Sequence, residues 1–264
     1  MWHSAQRRCS LGLGCHTSRV AEFLDDYLED ARFIGTRLNR ARVHDAQMEG
    51  VKITGTSLAN AEIWSNDITG MTINGVDVAP LVEAELDRRH PERRKLLAVD
   101  AAGVKDAWAE IEAEWDRTLS RALRLPPSQL FERTDELEWS FVETTRHLIY
   151  VDEKFICRVD GEPDHFSPIA LPHTSLPSVP PGVDPHVSPA ADEVFTVRQA
   201  RIEQIRAFMR RLDDTELQRD LTPSESTGGP RRAEAVLRRV RTLLREEWLH
   251  MRFANRDLTK LVGP

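Results

Sequence analysis

Between residues 31 and 80 the chain repeats every five residues: ARFIG, TRLNR, ARVHD, AQMEG, VKITG, TSLAN, AEIWS, NDITG, MTING and VDVAP. The third position of every unit is apolar: Phe33, Leu38, Val43, Met48, Ile53, Leu58, Ile63, Ile68, Ile73 and Val78. The first position is mostly small, as at Ala31, Ala41, Ala46 and Ala61, and glycine closes five of the ten units. Neither the 3.6-residue period of a helix nor the two-residue period of a strand puts all those apolar side chains on one surface. A coil that turns a corner every five residues does, so Ile53 and Ile63 are expected to point inward.

This pattern resembles the pentapeptide-repeat family, and the resemblance covers residues 31–80. It implies a right-handed, four-sided β-helix with the central and small first residues facing the interior. Ten units would make roughly two and a half coils, which is short for an architecture that buries surface only by stacking and needs caps at its ends. The segment AEFLDDYLED, residues 21–30, reads as the N-terminal cap, and Ala79 to Leu97 reads as a helix interrupted near Pro91. Some long members of that family are acidic rods that mimic DNA. Here Arg32, Arg37, Arg40, Arg42 and Lys52 balance Asp45, Glu49, Glu62, Asp67 and Asp77, so a structural module or a docking module for a protein partner is the expectation instead.

The rest of the chain is set against ordinary globular composition. Net charge is -7, which argues against a dedicated nucleic-acid binder despite the arginines of the last helical segment (Arg231, Arg232, Arg238, Arg239, Arg241 and Arg245). No apolar run approaches the ~20 residues of a membrane helix, and residues 1–20 lack a signal-peptide core. They read as a disordered tail, and the expected setting is the cytoplasm. Cys9, Cys15 and Cys157 form no framework spacing, as in a reducing compartment. His3, Cys9, Cys15 and His16 also lack the paired short spacing of a zinc site.

After residue 100 the period changes to that of helices. Val104, Trp108, Ile111, Trp115 and Leu119 form a stripe from Asp100, a candidate N-cap, to Leu123. A second helix is expected from Trp139 to Val159, ended by Gly161 and Pro163. A proline-rich segment, residues 162–191, follows and reads as a lid or binding wall. A third helix is expected from Asp192, its cap, to Leu212, and a fourth from Arg231 to Leu261. Four such helices suffice for an up-down bundle with one long crossover.

Three places carry candidate chemistry: His147 in the second helix, the pair His165 and His173 in the crossover, and Glu246, Glu247 and His250 in the fourth helix. Glu246 and Glu247 stand four and three residues before His250, so either pair is able to chelate one ion. The same residues also fit hydrogen-bonded core histidines beside a solvated salt-bridge face, and spacing alone leaves both readings open. Cys157 reads as a small core residue, since no activating group adjoins it.

The segments WSFVETTRHLIYVDEKF, HFSPIALPH and REEWLHMRFANRDL make residues 100–262 similar to the DinB-like superfamily, which includes mycothiol-dependent maleylpyruvate isomerases and other thiol-dependent transferases. The resemblance implies a four-helix bundle holding a divalent metal through one histidine of the second helix and a His-x-x-x-His pair of the last. His147 and His250 match that pattern, and Glu246 stands where a histidine is usual. The implied set is therefore His147, Glu246 and His250 around zinc, nickel or iron, with a low-molecular-weight thiol as co-substrate. The expected fold is α+β but mainly α: a tail and cap (residues 1–30), a repeat coil (31–80), a linker helix (81–99) and a bundle (100–262). The expected activity is a metal-dependent transferase, isomerase or hydrolase acting on a small electrophile. The alternative is a non-enzymatic scaffold with a degenerate site, and an oligomer is compatible with both.

Overall fold

A computed structural model of the chain describes residues 23, 28–44, 46–65, 67–173, 178–221 and 234–262. Cys9, Cys15, His3, His16, Arg231 and Arg232 lie outside the described residues. The chain divides into two units, Met1–Val43 and His44–Pro264.

In the first unit the repeats make tight turns. The Ala31 and Ala41 amides donate to the carbonyls of Leu28 and Leu38, each at 3.0 Å. Asp30 and Arg40 take positive φ at the third position of these turns, where a type II turn demands it.

The second unit continues with the same device. The amides of Val51, Ala61 and Met71 donate to Met48, Leu58 and Ile68, with Gly50, Asn60 and Gly70 at positive φ. The hydrogen-bonded turn thus recurs every ten residues, twice the sequence period. The apolar third positions are not interior: Phe33 is 58% exposed, Ile53 55% and Ile63 59%. Among the described residues no strand pairs one coil with another, and Ile53 and Ile63 are exposed rather than inward. Solenoid units bury surface only against a stacked neighbour, and the exposure of these side chains shows none over them among the described residues of either unit. The last two units depart further. Strands β1 (Thr72–Ile73) and β2 (Val76–Asp77) pair antiparallel around Asn74-Gly75, both at positive φ. Asn-Gly is the sequence that favours such a two-residue hairpin.

Helix α1 (Ala79–Arg89) and a 3-10 turn (Pro91–Leu97) come next, broken at Pro91 as expected. Proline cannot donate to the helical ladder, but it is tolerated in a first turn. Four long helices then form the core: α2 (Ala101–Ala122), α3 (Phe141–Asp160), α4 (Ala191–Arg211) and α6 (Val236–Val262). Between α4 and α6 lies the short α5 (Asp214–Gln218). Helix α2 packs on α6, α6 on α3, and α3 on α4. A 2.5 Å ion pair from Arg206 to Glu112 joins α4 to α2.

The helix ends are chemically specified. Asp100 caps α2 by accepting from the Gly103 amide. Ser140 and Glu143 form a reciprocal capping box at the start of α3, and Gly161 ends that helix in the left-handed region. The cap expected at Asp192 is instead Ala190, without a side-chain bond. Asp192 lies in the first turn, where its charge still favours the positive end of the helix dipole. The last helix starts at Val236 rather than Arg231, because strand β4 (Glu234–Ala235) pairs with β3 (Asp220–Leu221) and commits that backbone to a ladder.

The apolar stripes make two clusters. One gathers Trp108, Ile111, Phe155, Phe208, Leu244 and Trp248, and the other Phe141, Tyr150, Phe166, Ile169, Val194 and Leu258. The second includes the crossover, which folds back on itself: the Phe166 amide donates to the Pro181 carbonyl at 3.0 Å. Gly182 makes this approach feasible. Its φ is +90°, and a Cβ there would lie 2.1 Å from the Phe166 carbonyl oxygen. No described helix is long and apolar enough to cross a membrane.

Candidate metal centre

Helix α6 buries Val240, Leu243, Leu244, Glu247, Trp248, His250, Met251 and Ala254, at the three- and four-residue spacing of one face. His250 falls on that face, and Glu246 lies at its margin. Helix α3 packs against the same face and buries His147, which is 1% exposed. Each of His147, Glu246 and His250 offers a ligand atom within 4.8 Å of the others. The two imidazoles stack, with centroids 4.7 Å apart and planes inclined by 19°.

The hydrogen bonds set the tautomers. His147 Nδ1 lies 2.9 Å from the Leu171 carbonyl, and His250 Nδ1 lies 3.0 Å from the Glu246 carbonyl. A carbonyl only accepts, so both Nδ1 atoms carry the proton and both Nε2 atoms present a lone pair. His147 Nε2 is buried without a hydrogen-bond partner. An orphaned buried acceptor is costly, and imidazoles anchored by a carbonyl at the other nitrogen are the usual arrangement around a bound metal. The donor set therefore fits a divalent ion.

The electrostatics agree with neutral donors. Burial, then the neighbouring His250 and His173, hold His147 well below the ordinary histidine range. Burial lowers His250 to about 4, with the Glu246 carbonyl opposing. Burial pushes the Glu246 carboxyl up, against the pull of His173 and Arg245. Desolvation thus disfavours charge on all three, and a cation between them would offset that cost for the carboxylate.

The other sequence candidates are distributed differently. Glu247 is fully buried but turns away into an ion pair with Arg198, whose guanidinium reaches both its oxygens at 2.6 and 2.7 Å. Arg198 also pairs with the buried Asp152. His173 comes to the site, with its ring 4.7 Å from that of His147. His165 is exposed, and its backbone carbonyl accepts from the Cys157 thiol at 3.7 Å. Burial raises Cys157, which is no activated nucleophile.

Three contributors went unread in the sequence. Trp139, just before the α3 cap, stands 4.6 Å from His147, 5.6 Å from His173 and 6.1 Å from His250, centroid to centroid. Its signal was its place ahead of the capping box, where an apolar residue packs back along the helix. Arg198 and Asp152 carried another: each puts a charge on an otherwise apolar stripe, between Val194 and Ile205 and between Leu148 and Phe155.

Comparison with known families decides the bundle's kinship. The family model described as the DinB superfamily matches residues 110–254, more than half of the chain. The chain belongs to the DinB superfamily. The match begins within α2, ends within α6 and spans all three members of the His147, Glu246 and His250 group. No curated protein and no solved structure matches the chain. As a DinB-superfamily protein it carries Glu246 where the resemblance leads one to expect a histidine, and the carboxylate still falls within reach of both imidazoles.

Proposed function

We propose that this DinB-superfamily bundle is a metal-dependent enzyme that joins water or a low-molecular-weight thiol to a small electrophilic substrate, as a transferase, isomerase or hydrolase. The observation that carries the reading is the buried, unpartnered Nε2 of His147, in a residue that with Glu246 and His250 offers ligand atoms within 4.8 Å of one another. One divalent ion held by these three residues would supply Lewis acidity and lower the pKa of the attacking nucleophile. Imidazole and carboxylate donors suit zinc, nickel or iron.

The chain's own residues supply the rest. Leu171 and the Glu246 backbone fix the two imidazoles in the ligating tautomer. Trp139 lies against the histidine cluster and limits water around it. Arg198 engages both Glu247 and Asp152, which leaves Glu246 as the carboxylate available to the site.

Metal analysis of the purified full chain, expressed with zinc, nickel or iron supplied, tests the reading. One ion per chain is expected. A protein that carries none and takes up none on reconstitution overturns it.

A second reading, an interaction protein with a degenerate site, is favoured by one observation. The repeats of the second unit expose apolar side chains five residues apart, including Met48, Ile53, Leu58 and Ile63. Such a row is a surface for a protein partner, and this reading takes over if the chain binds no metal.

A further inference from the structure

The crossover between α3 and α4 is tied to the turn of α3 that carries His147. The Leu171 amide donates to the Arg146 carbonyl at 3.1 Å, and Arg146 Nε donates to the Ile169 carbonyl at 2.8 Å. The Leu171 carbonyl in turn accepts from His147 Nδ1. Three bonds thus register residues 169–171 against two consecutive residues of the helix.

Two residues further on, His173 stands edge-on to His147, with centroids 4.7 Å apart and planes at 73°. It is half-buried and also 5.6 Å from the Trp139 ring. Trp139, the ring that contacts both site histidines and His173, offers only an N–H and cannot ligate. His173 is therefore the additional imidazole that the fold delivers to the cluster. It does not lie within the 4.8 Å group, so reaching the ion takes a ring rotation or a small shift of the crossover.

We propose that His173 is a fourth, loop-borne ligand, which closes the coordination of the ion in the resting protein and yields its position when a small nucleophile enters. The proposal rests on the metal-site reading above. Its chemistry is ordinary: three protein ligands would leave an open position on zinc, and a fourth imidazole would close it.

The test uses the full chain loaded with cobalt(II), whose visible spectrum reports coordination number, and with zinc, whose X-ray absorption spectrum counts imidazoles. The wild type is expected to show intense four-coordinate cobalt bands and three imidazoles on zinc. His173→Ala is expected to show two imidazoles, an altered cobalt spectrum and affinity lower by at least about tenfold. Free imidazole should restore the wild-type cobalt spectrum to the variant. His165→Ala, which changes the exposed histidine of the same crossover, should match the wild type. His173→Gln replaces the alanine variant if that one does not fold. Metal bound with identical spectra and imidazole counts in wild type and His173 variants overturns the fourth ligand and leaves the three-residue site standing. A wild type that binds neither metal overturns both.

Discussion

Arg198 of α4 grips Glu247 of α6 through both carboxylate oxygens, at 2.6 and 2.7 Å, inside the bundle. The same guanidinium pairs with Asp152 of α3, so one cation joins three helices where two carboxylates are fully buried. Burial pushes Glu247 up and Arg198 pulls it back. Arg198→Met should therefore leave two buried acids without a cation and cost about 3–5 kcal/mol. Replacing Arg198, Asp152 and Glu247 together with apolar residues of like volume should cost far less. Urea unfolding of the two variants checks this, and equal losses would refute it.

Adjacent glutamates should separate by phenotype. Glu246→Ala should lower metal affinity while the fold persists, and Glu246→His should retain or tighten binding. His250→Ala should come out metal-poor. Glu247→Ala should lower the unfolding midpoint, yet its folded fraction should hold the wild-type complement of metal. Metal per folded chain, measured beside each denaturation curve, decides; metal loss confined to Glu247→Ala would mean that the wrong glutamate has been assigned.

Trp139 should report on the site. Its ring lies 4.6 Å from that of His147, so nickel or cobalt bound there should quench its fluorescence. Trp139→Phe should abolish most of that quenching while leaving the stoichiometry unchanged. Quenching of equal size in the variant would place the ion near another tryptophan.

Acid should loosen the approach to α3. Asp257 accepts from Thr134 Oγ1 and from Arg256 at 2.9 Å each, and Lys260 lies 3.3 Å away. Burial raises its carboxyl, but Arg256 and Thr134 outweigh burial and the net shift is downward. A depressed carboxyl contributes stability that is fully present above its unfolded pKa of about 3.9. That contribution is lost as pH falls below this value and through the lower folded one. Stability of Asp257→Asn should accordingly fall less steeply than wild type between about pH 4 and the onset of acid unfolding, as denaturant midpoints at stepped pH will show.

Ile53 distinguishes an open repeat from a closed one. At 55% exposure, Ile53→Asp should change stability by no more than about 0.5 kcal/mol. In a closed coil the same change would bury an unpaired charge and cost several times more. A large drop in melting temperature would show that the third positions are covered in solution.

What the sequence determined by itself is local. The helical stripes, the Asp100 cap, the break at Pro91 and the stop at Gly161 follow from interactions within a few residues. So does the register that puts Glu246 one turn before His250, since residues four apart share a face. Even the five-residue period was legible, but it constrains only where turns fall. Whether Ile53 and Ile63 are covered depends on a neighbouring coil, which no pentapeptide specifies.

The tertiary structure decided which faces meet. Glu246 and Glu247 are indistinguishable by spacing, and Arg198, forty-nine residues away in sequence, takes one of them for an ion pair. His165 and His173 both looked like loop histidines. The three bonds that seat residues 169–171 on α3 bring His173 to the cluster, and His165 stays exposed. Trp139 joined for the same reason, because its helix starts where α6 passes. Short-range periodicity sets the direction of a side chain along its own element. Only the packing of elements far apart in sequence sets what that side chain faces, and metal chemistry depends on the second.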